Sequence, residues 1–152
     1  MRISVIGCGY LGAVHAASMA ELGHTVVGID VDAAKIAALS QARAPFFEPG
    51  LPELLARGIE SGRLRFSTDP AQAADAEAHF IAVGTPQRRG EHGADLSYVD
   101  AAVAALLPHV RPGAVLIGKS TVPVGTAAAL AERLAAAQPE AALAWNPEFL
   151  RE

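Results

Sequence analysis

An open, doubly wound parallel α/β sheet is the fold this sequence predicts, and three observations predict it. Short apolar, β-branched runs alternate with alanine-rich helical stretches from end to end, every pair of runs is separated by a crossover, and the first run feeds into a glycine-rich turn. The chain has 152 residues, close to the usual size of one domain. A globule of that length buries roughly 70% of the surface its unfolded chain exposes, so one core needs no staples. Hydrophobic residues make up 51% and are dominated by alanine, a composition suited to close packing of helices on a sheet.

The elements follow in order. Arg2 to Ile6 is a short apolar strand ending in glycines, and Leu11 to Leu22 is helical in composition, stopped by Gly23. Thr25 to Ile29 is the second strand and ends in Asp30, completing one strand-helix-strand unit of about 30 residues. A helix is expected over Ala33 to Ala42, then a loop through Pro45, Phe46, Phe47, Glu48, Pro49 and Gly50, then a short helix over Leu51 to Glu60. Leu64 to Ser67 is the third strand, Pro70 to Ala76 a helical turn and Ala78 to Val83 the fourth strand. Gln87 to Asp95 is polar, glycine-containing and mixed in charge, which reads as a mobile surface loop. A helix over Leu96 to Val110, a strand over Ala114 to Lys119, a helix over Thr126 to Ala137 and a strand over Ala141 to Trp145 finish the pattern. Six strands with five crossovers fit the order 3-2-1-4-5-6 in a single domain.

Charge and cysteine usage exclude several classes of function. The net charge is −4 with both signs interspersed, so no basic stripe is available to a phosphate backbone and nucleic acid is not an expected partner. The single cysteine, Cys8, allows no internal disulfide, and the chain opens on a strand rather than a signal segment, which points to a reducing cytoplasm. No apolar run approaches the roughly 20 residues that span a bilayer, so no membrane is expected. The five histidines, His15, His24, His79, His92 and His109, are scattered without metal-ligand spacing, and no metal is expected.

The turn after the first strand reads IGCGYLG, placing Gly7, Gly9 and Gly12 in the pattern G-x-G-x-x-G at the opening of a helix. Gly7 permits the tight turn, Gly9 lets backbone approach a diphosphate, and Gly12 allows close packing of helix on strand. The helix N-terminus offers unpaired amides and a positive dipole end to the anion. Alone the pattern is also satisfied by a tight turn. Asp30 adds a carboxylate at the end of the second strand, eighteen residues after Gly12, where it can accept from ribose hydroxyls. Together these predict a Rossmann-type domain that binds NAD. Asp30 repels a 2′-phosphate, and Val31 and Asp32 stand where an NADP site would want arginine. Lys35 either lies along the adenosine or is an ordinary exposed lysine, while Cys8 is expected to pack as a small apolar group.

Beyond the other strand ends lie AVGTP (82–86), KSTVPVGT (119–126) and NPEFLRE (146–152), each of which could be simple turn chemistry. Taken with IGCGYLG, GIDVDAAKI, PFFEPGLPELL and ADLSYVDAA, they make the chain resemble the N-terminal domain of the UDP-glucose 6-dehydrogenase family, over essentially its whole length. The FFEPGL and STVPVGT forms resemble the UDP-glucose branch more than the GDP-mannose or UDP-N-acetylhexosamine branches.

The resemblance implies a four-electron oxidation of a nucleotide-sugar alcohol to a carboxylate by two NAD, through an aldehyde and a cysteine thioester. It implies that Thr121 and Glu148 position water and act in acid/base steps, and that Glu152 lies near the nicotinamide and the sugar. It implies cofactor contacts by Gly7, Cys8, Gly9, Tyr10, Leu11, Gly12, Asp30, Lys35, Val83, Gly84, Thr85, Pro86, Ser120, Thr121 and Glu152. Glu148, Phe149, Leu150 and Arg151 would contribute to the sugar-nucleotide pocket. The family's nucleophilic cysteine, and the lysine, asparagine and aspartate that work with it, have no counterpart in this chain. The expectation is therefore an N-terminal domain of a longer cytoplasmic enzyme of polysaccharide precursor synthesis, homodimeric or higher only at full length, which by itself binds NAD without turnover. Two other readings share the glycine loop: a dinucleotide-sensing regulatory domain, which has no need of Thr121, Glu148 and Glu152, and a β-hydroxyacid dehydrogenase, which AVGTP and NPEFLRE do not suit. Phe46 and Phe47 are expected to pack their loop on the sheet edge, and Trp145 to pack at the end of the sixth strand.

Overall fold

The computed structural model describes residues 1–88, 90 and 93–148. Six strands, β1 (Arg2–Ile6), β2 (Thr25–Ile29), β3 (Leu64–Ser67), β4 (Ala78–Ile81), β5 (Val115–Gly118) and β6 (Ala142–Trp145), form one sheet. Its order is β3-β2-β1-β4-β5-β6 with every pairing parallel, as expected from the alternation of runs. The helices are α1 (Tyr10–Glu21), α2 (Ala33–Leu39), α3 (Leu51–Glu60), α4 (Ser97–Leu106) and α5 (Thr126–Ala137), with 3-10 turns at Pro70–Ala73 and Leu107–His109.

Two apolar layers enclose the sheet. On one face Ile3 and Val5 meet the small-residue stripe Ala13, Ala16, Ala17 and Ala20 of α1, joined by Leu39, Leu51 and Leu55. On the other face Ile6, Ile29, Ile81 and Leu116 meet Val99, Val103 and Leu106 of α4 and Leu130 and Leu134 of α5. The alanine stripe at positions i, i+3, i+4 and i+7 lets α1 sit close to the central strands, where β-carbons replace longer side chains.

The central strands also carry a buried polar pair. Ser4 and His79 are register partners on β1 and β4, and Ser4 Oγ lies 2.7 Å from His79 Nδ1. His79 is fully buried, its Nε2 has no hydrogen-bond partner among the described residues, and burial pushes its imidazole down to about 4.

Several element boundaries differ from expectation, and three of the differences have a clear local reason. The second helix ends at Leu39 rather than Ala42, because Ala42 turns left-handed (φ 56°) and the amides of Ala42 and Arg43 close back on the carbonyls of Leu39 and Ala38. That is a Schellman closure with alanine in the usual glycine place. The helix expected to Val110 gives way to a 3-10 turn at Leu107, since Pro108 lacks an amide and crowds the preceding turn. The fourth strand leaves the ladder after Ile81, freeing Ala82 and Val83 to line the site below.

The expected mobile loop is tied at its base. Gln87 and Ala94 form an antiparallel bridge, Arg88 N donates to Gly93 O at 2.8 Å and Asp95 N donates to Pro86 O at 2.8 Å. These bonds make it the stem of a hairpin, and Arg89, Glu91 and His92 within it lie outside the described residues.

Candidate functional site

The three glycines of the first turn have different reasons to be glycine. Gly7 is left-handed (φ 91°), and a β-carbon there would come 2.8 Å from Val83 Cγ1 and 2.9 Å from Val83 N. At Gly12 a β-carbon would come 1.8 Å from Gly7 O, which is the close helix-on-turn approach expected of the third glycine. At Gly9 a β-carbon would meet no protein atom within 4 Å, and the residue faces a cleft. Protein packing therefore explains two of the glycines and leaves the third, on the cleft, without a packing reason.

The helix that follows is left bare. Gly9 caps α1 with no side-chain hydrogen bond, and its first turn holds no acidic residue. The amides and positive dipole end at this point are those an anion would use. By contrast α2 is capped by its own Asp32, whose Oδ1 accepts from Ala34 N at 2.9 Å and Lys35 N at 3.1 Å.

Asp30 is buried at the end of β2 and heavily engaged. Its Oδ2 accepts from Cys8 N at 2.8 Å and from Lys35 Nζ at 2.8 Å, and its Oδ1 accepts from Asp32 N at 3.0 Å. Burial alone would raise this carboxyl, but the bond from Lys35, the two amides and the lysine charge outweigh it and hold the group below the ordinary carboxylate range. Asp30 is thus ionised and points into the cleft with acceptor capacity left on Oδ1.

The cleft encloses about 430 Å³ beyond the carboxyl ends of β1, β2 and β4. Of the expected cofactor residues, Gly7, Gly9, Asp30, Lys35, Val83, Gly84 and Pro86 line it, and Cys8, Tyr10, Leu11, Gly12, Thr85, Ser120 and Thr121 do not. Sequence reasoning missed the opposite wall: Thr68 and Pro70 after β3, and Tyr98, Ala101, Ala102 and Ala105 on α4. The last four stand at i, i+3, i+4 and i+7, a helical stripe whose small residues could have been read as room for a flat group.

Cys8 packs as the small apolar group it was expected to be. Its side chain is fully buried against Gly28 and its amide is committed to Asp30, so it supports the carboxylate rather than facing the cleft. Burial, and then the Asp30 charge, push its thiol up to about 12, which excludes a thiolate nucleophile at neutral pH. Tyr10 donates to Glu48 Oε2 at 2.5 Å and meets Phe46 edge-on at 5.2 Å, tying the FFEPG loop to the first turn of α1. Phe46 packs as expected, whereas Phe47 is 89% exposed.

A second group of residues gathers beyond β4, β5 and β6. Ser120 Oγ donates to Val83 O at 2.6 Å, Thr85 Oγ1 donates to Thr121 O at 2.8 Å and Trp145 Nε1 donates to Ser120 O at 3.0 Å. Thr121 Oγ1 donates to Glu148 O at 3.2 Å, and Glu148 N donates to Lys119 O at 3.0 Å. Thr121 and Glu148, expected to act together, are brought together. Lys119 went unread as a site residue: it is buried, with Nζ 3.4 Å from Glu148 Oε2. A lysine ending an otherwise apolar strand was the available signal. Trp145 packs across Gly118, where a β-carbon would strike its ring. Phe149, Leu150, Arg151 and Glu152 lie outside the described residues.

His15 sits edge-on to Phe80 at 4.3 Å, its imidazole pushed below its ordinary value by burial and then by the Lys119 charge. Among the described residues no three His, Cys, Asp or Glu side chains assemble as a metal site, and no helix is long and apolar enough to cross a membrane.

Comparison with known proteins places these features. A family model described as the NAD-binding domain of the UDP-glucose/GDP-mannose dehydrogenase family matches residues 1–152. A UDP-glucose 6-dehydrogenase of Rhizobium meliloti (strain 1021) is 46% identical across all of this chain, which covers 36% of that protein. The structure of a UDP-glucose dehydrogenase from Pyrobaculum islandicum superposes with a TM-score of 0.90 at 44% identity, over 99% of this chain and 36% of that one. A GDP-mannose dehydrogenase from Pseudomonas aeruginosa, solved as a ternary complex, gives a TM-score of 0.92 at 35% identity, over 100% of this chain and 37% of that one. The chain spans about a third of the length of the curated relatives it matches.

Proposed function

This chain belongs to the UDP-glucose/GDP-mannose dehydrogenase family, of which it is the NAD-binding domain, and from that premise we propose that it serves a UDP-glucose 6-dehydrogenase. In the 430 Å³ cleft, Asp30 would hold the cofactor's adenosine ribose, and Gly9 and the bare end of α1 would receive its diphosphate. Thr85, Ser120 and Thr121 would hold the nicotinamide side. When bound, NAD supplies the hydride acceptor for oxidation of the sugar's primary alcohol.

The observation that carries an enzymatic reading is the cluster Lys119, Thr121 and Glu148 beyond β5 and β6. Thr121 gives its only proton to Glu148 O, so it can meet a reacting water or alcohol only as an acceptor. Glu148 is the acid/base group beside it, and the Lys119 ammonium holds that carboxylate in place. A domain that only sensed the dinucleotide would need none of these three. Glu152, with the pocket residues Phe149, Leu150 and Arg151, completes the sugar side. Higher identity to UDP-glucose than to GDP-mannose relatives supports UDP-glucose as the sugar nucleotide. The remaining catalytic groups belong to further domains of a longer, oligomeric cytoplasmic protein that supplies a sugar acid for polysaccharide synthesis.

Because Cys8 is the sole cysteine and is buried as a thiol, the chain of 152 residues holds no nucleophile for the thioester step. The purified chain should bind NAD in a fluorescence or calorimetric titration and yield no UDP-glucuronate when NAD and UDP-glucose are supplied. Formation of UDP-glucuronate, or failure to bind NAD, would overturn the reading.

A further inference from the structure

We propose that two carboxylates, Asp30 and Asp32, together exclude a 2′-phosphorylated dinucleotide, and that Lys35 is a phosphate-binding cation masked by Asp30. The proposal rests on the cofactor site above and concerns its specificity. Asp30, Asp32 and Lys35 line the same cleft, at the wall where the adenosine ribose lies. Asp30 already accepts from Cys8 N, Asp32 N and Lys35 Nζ, three donors for a carboxylate with about four acceptor positions. Capacity for a ribose hydroxyl remains, but none of it suits an anion.

Charge bookkeeping across the three side chains sets the specificity. Lys35 Nζ lies 2.8 Å from Asp30 Oδ2, so the pair is neutral and the lysine is occupied. Asp32 forms no ion pair among the described residues, and its Oδ1 is held at the base of the same lysine by the Lys35 amide. The wall therefore carries one net negative charge. Removing Asp30 alone brings it to zero, releasing Lys35 but leaving Asp32 beside it. Removing both leaves one net positive charge on a freed ammonium, which can pair with a phosphate carrying about −1.5 to −2. An aspartate at the end of the second strand is thus only half of the barrier, and the second half lies at the cap of α2.

The test is titration of the chain with NAD and NADP, using wild type, Asp30→Asn, Asp32→Ser, the double variant and the double variant with Lys35→Met. Asparagine keeps an acceptor for the buried Cys8 amide, and serine keeps the helix cap while removing the charge. Asp30→Asn should weaken NAD without tightening NADP. Asp32→Ser, at an exposed position that leaves the fold intact, should raise NADP affinity relative to NAD by a few-fold, and the double variant should bind NADP about tenfold tighter than wild type. Lys35→Met should abolish that gain. If Asp30→Asn alone binds NADP as tightly as the double variant, or Asp32→Ser leaves the ratio unchanged, the proposal fails while the NAD site stands. Wild-type chain binding neither cofactor would remove the site and the proposal with it.

Discussion

The two halves of the sheet's carboxyl edge are built on opposite principles. Around β1 and β2 the site is made by leaving things out: glycines where side chains would fill space, and a helix terminus with no cap. Around β4, β5 and β6 it is made by adding side chains, whose hydroxyls and indole stitch three loops together through backbone carbonyls. The first half leaves a cleft of about 430 Å³ open. In the second half each hydroxyl already spends its proton on the protein, which fixes the geometry and leaves only acceptor lone pairs for chemistry. Catalysis demands held positions more than it demands open space, and the function proposed above, with the cofactor on the first half and the chemistry on the second, rests on that difference.

The sharpest way to break this comparison is to add a single methyl to each of two glycines in the first half. Gly12→Ala drives a β-carbon into Gly7 O and should cost about 3 kcal/mol or more, read as a large fall in thermal midpoint. Gly9→Ala meets nothing within 4 Å and has an unstrained φ of −68°, so its stability should match wild type. Its NAD affinity should nevertheless drop about tenfold or more, because backbone approach to the diphosphate is lost. Equal stability losses in both variants, or unchanged NAD binding by Gly9→Ala, would remove the idea that the loop is shaped by an absent ligand.

Between the halves, the Ser4–His79 pair joins β1 to β4 and supplies a pH-dependent seam. With the folded imidazole at about 4 against an ordinary 6.5, the two states differ in proton binding only between those values. There the unfolded chain binds a proton that the folded chain refuses, so stability falls as pH falls from 6.5 to 4 and is flat for this group outside that window. The loss should total about 3 kcal/mol. Chemical denaturation at intervals from pH 7.5 to 4 would show the slope in wild type. A Ser4→Ala/His79→Leu variant, which removes both polar partners, should flatten it. An unchanged slope would place the acid sensitivity in other groups.

The difference between the halves also explains what could be read from the sequence. Strand order, the roles of Gly7 and Gly12 and the position of Asp30 were legible because spacing in a strand-turn-helix unit determines where those atoms go. The α4 wall of the cleft was not, since Tyr98 and the alanines around Ala101 carry no chemistry of their own and reach the site only through packing across the sheet. Thr121 and Glu148 were legible through resemblance alone, as nothing in STVPVGT or NPEFLRE fixes that their loops meet. Lys119 and the inward turn of Cys8 depend on which way a strand-end side chain points, and that is decided by neighbours distant in sequence. The early end of α2 follows from an alanine taking a glycine conformation, against propensity.

The smallest expected effect lies in the stitched half, where a cofactor contact and a structural bond compete for one hydroxyl. Ser120 is expected to touch the cofactor, yet it is buried and its proton goes to Val83 O at 2.6 Å. Val83 in turn lines the cleft and crowds Gly7, so this bond holds the first half's floor from the second half. Ser120→Ala should therefore cost about 1 kcal/mol in denaturant unfolding, the net worth of one hydrogen bond with a partly buried carbonyl left behind. Affinities for NAD and for AMP should then fall together, by no more than a few-fold, because the shared adenosine floor has loosened. If instead stability is unchanged and NAD weakens while AMP does not, the hydroxyl acts on the nicotinamide end directly, and the stitched half is a ligand contact rather than a brace.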